Sequence, residues 1–479
     1  MIDGAAAERS FKIVRNGETE PALASWTADL AGVQKHIADA LNARNVAFLL
    51  GAGCSSLRSG DDELGISTMM PLAQQFCDTT HQSISAAKQA AEDASLEEPS
   101  AEDDEREPGD LDDDTSAEVV LAPGAPADPG PAPAPAPAPA WALTADELSF
   151  LEGYGIALEE ENARNLERLM EVLHSARFVL RRSSRSPDWA SADRLTLIID
   201  KVQLFIWEKC TNGAFARPAG EKSDTKVRDL YEQFYRKLVL RDRSLPRPWV
   251  FTTNYDLFNE TAMDRLAIPY SNGFSGVVER RFNPATFRYA LAEQLDISSR
   301  KWSAVDAYVY LCKLHGSISW TEDDHGLFPI RERVPPEGGT KMMIFPTPAK
   351  QNSSLGSPYS DLFREFQGRI VQEQSVLITL GYAFGDEHLN NIIYQALTIP
   401  TFRLIIFFDP TAKDEIAKLR ALGDPRITII GGDGSTPETP AHYFATVVDK
   451  FMPQRSSERI DEAVRKVIQT MAPDRDADA

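Results

Sequence analysis

Four short stretches of this 479-residue chain set polar or glycine residues directly behind apolar, β-favouring runs: FLLGAGCSS (48–56), FTTNYD (251–256), KLHGS (313–317) and LGYAFGD (380–386). Each has its own chemical capability. Gly51 and Gly53, with Ala52 between them, allow a tight turn and a close backbone approach to a pyrophosphate. Ser55 and Ser56 can cap a following helix and direct hydroxyl or N–H groups at phosphate oxygens. An ordinary strand-to-helix turn has the same composition, and the spacing matches neither G-x-G-x-x-G nor the G-x-x-x-x-G-K-[ST] of a phosphate loop. A plain dehydrogenase and a phosphate-loop ATPase are therefore disfavoured. Asn254 and Asp256 read as turn formers or as site residues, His315 as a hydrogen-bonded core histidine or as a base, and Gly381 and Gly385 as turn glycines.

The elements that must position these residues follow from the runs before them. NVAFLLGAG (45–53), PWVFTTN (248–254), AYVYLCKLHG (307–316), SVLITLGYAFGD (375–386), RLIIFFDP (403–410) and RITIIGGD (426–433) are continuous apolar runs. Such runs mark strands covered by helices on both faces, as in a parallel α/β sheet. In an open parallel sheet the carboxyl ends of the strands are where ligands bind, and four of the six runs end in the stretches above. Helical patterns fill 145–182 and 192–210, the second with Ser191 as its N-cap. The first two strands lie about 195 residues apart, far more than a crossover helix requires, which predicts an inserted helical subdomain over 144–245. No repeat of fixed period is present.

Composition narrows the class further. No apolar run approaches the ~20 residues of a membrane span, and the N-terminal residues lack an apolar core behind a basic stretch, so the expectation is a soluble, cytoplasmic protein. Cys54, Cys77, Cys210 and Cys312 stand far apart, suggesting neither disulfides nor a cysteine metal site. The net charge is −22, but residues 92–128 hold fifteen Asp and Glu against one Arg, which leaves −8 for the rest. The body is mildly acidic and no direct nucleic-acid binding is expected. Residues 85–143, acidic and then alternating Pro and Ala, read as a disordered insertion.

In combination, GAG-x-S, TTNYD, LHGS and GYAFGDEH, standing in that order, resemble the sirtuin-like domain of bacterial NAD-consuming proteins of the anti-phage defence type. The resemblance covers about 40–435 less the insertion. It implies a Rossmann-like parallel sheet with an inserted helical subdomain, and catalytic roles for Asn254 and His315. The domain would comprise 40–84 and 246–435, with 436–479 as a helical tail. NAD would be the substrate, with Gly51, Ala52, Gly53, Ser55, Ser56, Asp256, Gly381, Tyr382 and Phe384 as its binding residues and no metal.

Elementary chemistry agrees with those roles. Cleaving the nicotinamide glycosidic bond passes through oxocarbenium character, and the leaving group already carries positive charge. The site must therefore fix the ribose, position a water and accept a proton. An Asn amide can donate to a ribose oxygen and accept from water. A neutral His with its ordinary pKa of ~6.5 can serve as base. Both side chains are expected to face a wet cleft. Asp256 is expected to orient a ribose hydroxyl or to cap the following helix, and Gly381, Tyr382 and Phe384 either to contact the adenosine half or simply to pack a turn. In FGDEHLNNIIYQAL (384–397), Leu389, Ile392, Ile393 and Ala396 fall at helical spacing behind an Asp386 N-cap.

Departures limit the resemblance. The paired C-x-x-C zinc module of protein deacetylases is absent from the sequence, and GISTMMPLAQQF (65–76) replaces their nicotinamide-side loop, with MMPL read as core packing. The expectation is an NAD glycohydrolase releasing nicotinamide and ADP-ribose as a conditional toxic effector. An NAD-dependent ADP-ribosyltransferase or deacetylase, and a catalytically inactive nucleotide-binding subunit, are the alternatives. The resemblance further implies a homo-oligomer with a separately encoded partner such as a hexameric DNA-translocating ATPase or a short Argonaute.

Overall fold

The computed structural model describes residues 9–59, 62–96, 137–212, 226–242, 244–296, 301–323, 329–334, 342–344, 358–436 and 439–453. Nine strands form the main sheet: β1 (Ser10–Val14), β2 (Ala22–Ser25), β3 (Asn45–Leu50), β4 (Trp249–Thr252), β5 (Tyr270–Ser271), β6 (Val309–Lys313), β7 (Ser375–Leu380), β8 (Arg403–Phe407) and β9 (Ile427–Gly431). Their order is β2-β1-β9-β8-β7-β3-β4-β6-β5. The six expected strands are β3, β4, β6, β7, β8 and β9, and they pair in parallel. The N-terminal β1–β2 hairpin, which pairs antiparallel onto β9, and the two-residue β5 were not foreseen.

The continuous apolar runs have the expected cause. Val46, Phe48 and Leu50 of β3 enter one core while Ala47 and Leu49 enter the other. In β4, Val250 and Phe251 divide in the same way. Alternate side chains leave opposite faces, so a strand buried on both faces shows no polar alternation. One face is covered by helices Leu30–Leu41 and Lys226–Leu238, the other by Tyr359–Ile370 and Glu387–Leu397. The last of these buries Leu389, Ile392, Ile393 and Ala396, with the Asp386 carboxylate accepting from the Leu389 N–H at 3.1 Å.

Register decides what the sheet presents at its edge. Phe407, Leu380, Leu50, Thr252 and Lys313 are successive partners across five strands, so the residues after each leave the sheet along one line. The chain runs from β3 to β4 and β6 on one side, then crosses back to β7, β8 and β9 on the other. The reversal lies between β3 and β7, where an open α/β sheet forms its ligand crevice. This is a Rossmann-like arrangement.

The helical region contains Ala145–Glu152, Leu166–Arg181, Ser186–Asn212 and Lys226–Leu238. The pattern over 145–182 is thus two helices, each with its own cap, at Thr144 and Asn165. Ser191 is not an N-cap: the helix starts at Ser186, and the Ser191 hydroxyl donates to the Pro187 carbonyl at 3.3 Å inside it. The expected insertion 85–143 overlaps described structure at both ends. Helix Met69–Leu96 continues through Ser85, and Trp141, Ala142 and Leu143 are buried, with Trp141 against Phe76 and Phe205. Residues 97–136 lie outside the described residues, as does 454–479 of the expected tail.

A second, five-stranded antiparallel sheet was also not foreseen. One of its strands, Gly316–Glu322, begins three residues after β6 ends. The run 307–316 is therefore two elements, with His315 at the turn where the chain leaves one sheet for the other.

Candidate active site

Two mutually packed turns form the floor of the crevice. The Gly51 N–H donates to the Leu380 carbonyl at 2.9 Å and the Gly53 N–H to the Gly381 carbonyl at 3.1 Å. A Cβ on Gly51 would lie 2.4 Å from the Gly381 carbonyl oxygen, and one on Gly381 would lie 2.6 Å from the Cys54 nitrogen. Gly381 also has φ +59°. These glycines are required by each other's backbone.

After this turn the sequence expectation requires correction. Ala52–Cys54 is a single 3-10 turn leading into a hairpin strand, Ser56–Ser59, so Ser55 and Ser56 cap no helix. Ser56 instead bonds Glu63 across the hairpin. The Ser55 hydroxyl donates to Asp256 Oδ2 at 2.6 Å and accepts from Asn254 Nδ2 at 2.9 Å. Cys54, in the same turn, donates to the Leu380 carbonyl, and burial pushes its thiol well up, which removes it as a nucleophile.

Asn254 is 6% exposed rather than open to a wet cleft. Its amide nitrogen donates to the Gly51 carbonyl at 3.0 Å as well as to Ser55. Both N–H groups are committed to the protein, so the amide does not donate to a ribose. The carbonyl oxygen Oδ1 is left as the acceptor. Asp256 accepts from Ser55 on one oxygen and from the Phe258 N–H at 3.0 Å on the other. It holds the first N–H of helix Phe258–Arg265, whose N-cap is Leu257, and fixes Ser55.

A residue that sequence reasoning passed over joins the two strand ends. Lys313 of β6 is 1% exposed and donates to the Tyr255 carbonyl at 3.2 Å, to the Asp256 carbonyl and to Ser317 Oγ at 2.9 Å. Glu260 stands 3.2 Å away, its carboxyl pushed up to about 7 by burial against the pull of the lysine. A lysine inside the apolar run YLCKLHG was the available signal, since buried lysines are almost always paired.

His315 is 6% exposed and stands between two carboxylates. Nε2 is 2.9 Å from Asp386 Oδ2, and Nδ1 is 3.6 Å from Glu167 Oε1, an ion-pair separation too long for a hydrogen bond. Glu167 also accepts from the Tyr255 hydroxyl at 2.8 Å. Burial pulls the imidazole down, but the Asp386 bond and the Glu167 charge more than reverse this and raise it to about 9. The expected neutral base is therefore an imidazolium in the ligand-free site. Asp386 could be singled out only as a helix cap, and nothing near Glu167 in sequence ties it to His315.

A groove of about 790 Å³ runs along the strand ends, lined by Gly51, Ala52, Gly53, Ser56, His315, Gly381 and Tyr382, and reaching Phe408 and His442. Adjoining it, a small pocket of about 80 Å³, lined by Ile66, Met69, Leu72, Leu166, Ile206 and Asn254, is largely apolar. Glu167 and Ala52 line both. The groove falls at the upper end of the ~300–1,000 Å³ of small-ligand and cofactor sites, room enough for a dinucleotide. Tyr382 donates to Asn390 at 3.1 Å, and Phe384 is buried with its ring on Tyr382 rather than on the groove. Met69 of MMPL lines both cavities, while Met70 is exposed and lines the groove. Among the described residues no group of three or more His, Cys, Asp or Glu stands together as a metal site.

The SIR2-like domain family model matches residues 248–422. This part of the chain is a sirtuin-like domain, a type that binds NAD, and it contains Asn254, His315 and Asp386 but neither the Gly51–Ser56 turn nor Glu167. No curated protein matches the chain.

Proposed function

We propose that the chain is an NAD⁺ nucleosidase, releasing nicotinamide and ADP-ribose. The observation that carries this reading is that Asn254 and His315, which follow two adjacent parallel strands, line respectively an apolar pocket and a long groove that share Ala52, Met69, Glu167 and Thr253. The groove suits the pyrophosphate and adenosine, and the pocket suits an aromatic leaving group. The Asn254 carbonyl oxygen orients the attacking water. His315, once it has lost the Nδ1 proton, takes a proton from that water as its oxygen bonds the ribose carbon. The electron pair of the broken bond stays on the nicotinamide nitrogen, which becomes neutral.

We further propose that the protein is a conditional effector of bacterial anti-phage defence, cytoplasmic, acting as a homo-oligomer or with a separately encoded partner such as a DNA-translocating ATPase or a short Argonaute. The support is the motif resemblance and the lethality of unrestrained NAD loss. The test is nicotinamide release from NAD by the purified chain, alone and with the product of the neighbouring gene. Equal amounts of nicotinamide and free ADP-ribose are expected, and none from His315→Ala. ADP-ribose found on a protein acceptor would favour the transferase, and no release in either mixture would overturn the reading.

A further inference from the structure

Glu167 belongs to the helical region, outside the matched domain, yet it touches the site at three points. Its Oε1 lies 3.6 Å from His315 Nδ1 and accepts from Tyr255, and the side chain lines both the groove and the apolar pocket. It is held there by its helix start, where the Asn165 side chain accepts from the Glu167 N–H at 2.9 Å. Among the residues lining the pocket the charged groups are Glu167 and Asp256, and of the two it is Glu167 that also lines the groove. An aromatic ring carrying positive charge and passing from the groove into the pocket therefore meets Glu167 at the junction.

We propose that Glu167 is a counter-ion shared between His315 and the cationic nicotinamide, so that substrate binding draws the carboxylate off the imidazole and releases His315 to act as base. This rests on the NAD reading above. Two cations then compete for one anion, and the ring loses one of its two supporting charges. The groups facing His315 are Asp386, from the start of helix Glu387–Leu397, and Glu167. Because Asp386 keeps the Nε2 proton, the proton that leaves, to bulk water, is the one on Nδ1. Bond cleavage makes the nicotinamide neutral, its hold on Glu167 lapses, and the carboxylate returns to His315. The base is thus unmasked only while charged substrate is bound.

The test follows the His315 ring by NMR, assigned with His315→Gln, from pH 5 to 10. The full chain is titrated free, with carba-NAD⁺, a non-hydrolysable analogue that keeps the charged ring, and with NADH, whose ring is neutral. The free protein is expected to titrate near 9. The charged analogue should lower this by about one to three pH units, the size of one close opposite charge, and NADH should leave it in place. In Glu167→Gln the free protein should already titrate lower and the two ligands should act alike. Equal titration in the two wild-type complexes, or a Glu167→Gln variant that titrates as wild type, overturns the inference while leaving NAD binding intact. A spectrum that neither ligand perturbs overturns the NAD reading as well.

Discussion

Asn254 and His315 differ in what their removal should reveal. His315 has one hydrogen bond, to Asp386, whereas Asn254 ties Gly51 to Ser55 and so holds the floor of the crevice. We expect His315→Ala to lower nicotinamide release by roughly 10²–10⁴-fold with a small change in melting temperature. Asn254→Ala should lose turnover too, but it also removes two buried hydrogen bonds, to the Gly51 carbonyl and the Ser55 hydroxyl, each worth about 0.5–1.5 kcal/mol. Denaturant unfolding separates the two: equal stabilities would show that Asn254 has no structural share. Charge on His315 sets the pH dependence. In the free enzyme the proton must be lost before attack, so kcat/KM should climb with pH toward about 9 rather than level off near 6.5, and a plateau from 7 would contradict the carboxylate clamp.

Turns and strand ends carry the next set of consequences. The β3 and β7 turns interlock through glycines, and Gly381→Ala must both adopt φ +59° and displace the Cys54 nitrogen from 2.6 Å. The left-handed conformation costs about 1–2 kcal/mol and the clash adds to it, so this single methyl should lower the melting temperature and widen the crevice. The β4 and β6 ends are joined instead by Lys313. Lys313→Met should destabilise by about 3–5 kcal/mol, because it removes one partner of a buried pair. Adding Glu260→Leu should recover part of that loss, since no buried carboxylate then lacks a partner. Additive losses in the double variant would mean that Lys313 acts only through the Tyr255 and Asp256 carbonyls.

For the molecule as a whole, the same titrating groups predict how stability varies with pH. His315 binds its proton more tightly folded than unfolded, with a folded value of about 9. Its stabilisation is complete below ~6.5 and is lost as pH rises through the folded value. Glu260, pushed up to about 7, also holds its proton longer when folded and lowers stability as pH rises from ~4.5. Asp386 and Glu167 act oppositely: burial raises each carboxyl, but His315 holds both below the usual range, and their contribution is lost as pH falls through the folded values. Melting temperature should therefore peak around pH 5–6 and decline toward pH 9. His315→Gln should flatten the decline above 6.5, and an unchanged decline in that variant would show that other groups cause it.

Local chemistry in the amino-acid sequence was sufficient for six of the nine strands of the main sheet. Continuous apolar runs announced β3, β4, β6, β7, β8 and β9 because strands buried on both faces cannot alternate, and polar residues behind four of them marked the ligand edge. The match over 248–422 agrees with that reading. Apolar spacing likewise disclosed helix Glu387–Leu397 and its Asp386 cap. What remained hidden depends on contacts between residues distant in the chain. Glu167 reaches His315 across 148 positions, and Lys313 reaches Glu260 across 53. Neither separation leaves a local pattern, since a carboxylate on a helix and a lysine in a strand look alike whether paired or not. The charge on His315 was undecidable for the same reason. An isolated imidazole is neutral at pH 7, and only packing the helical region against the sheet edge adds a second carboxylate and makes it a cation.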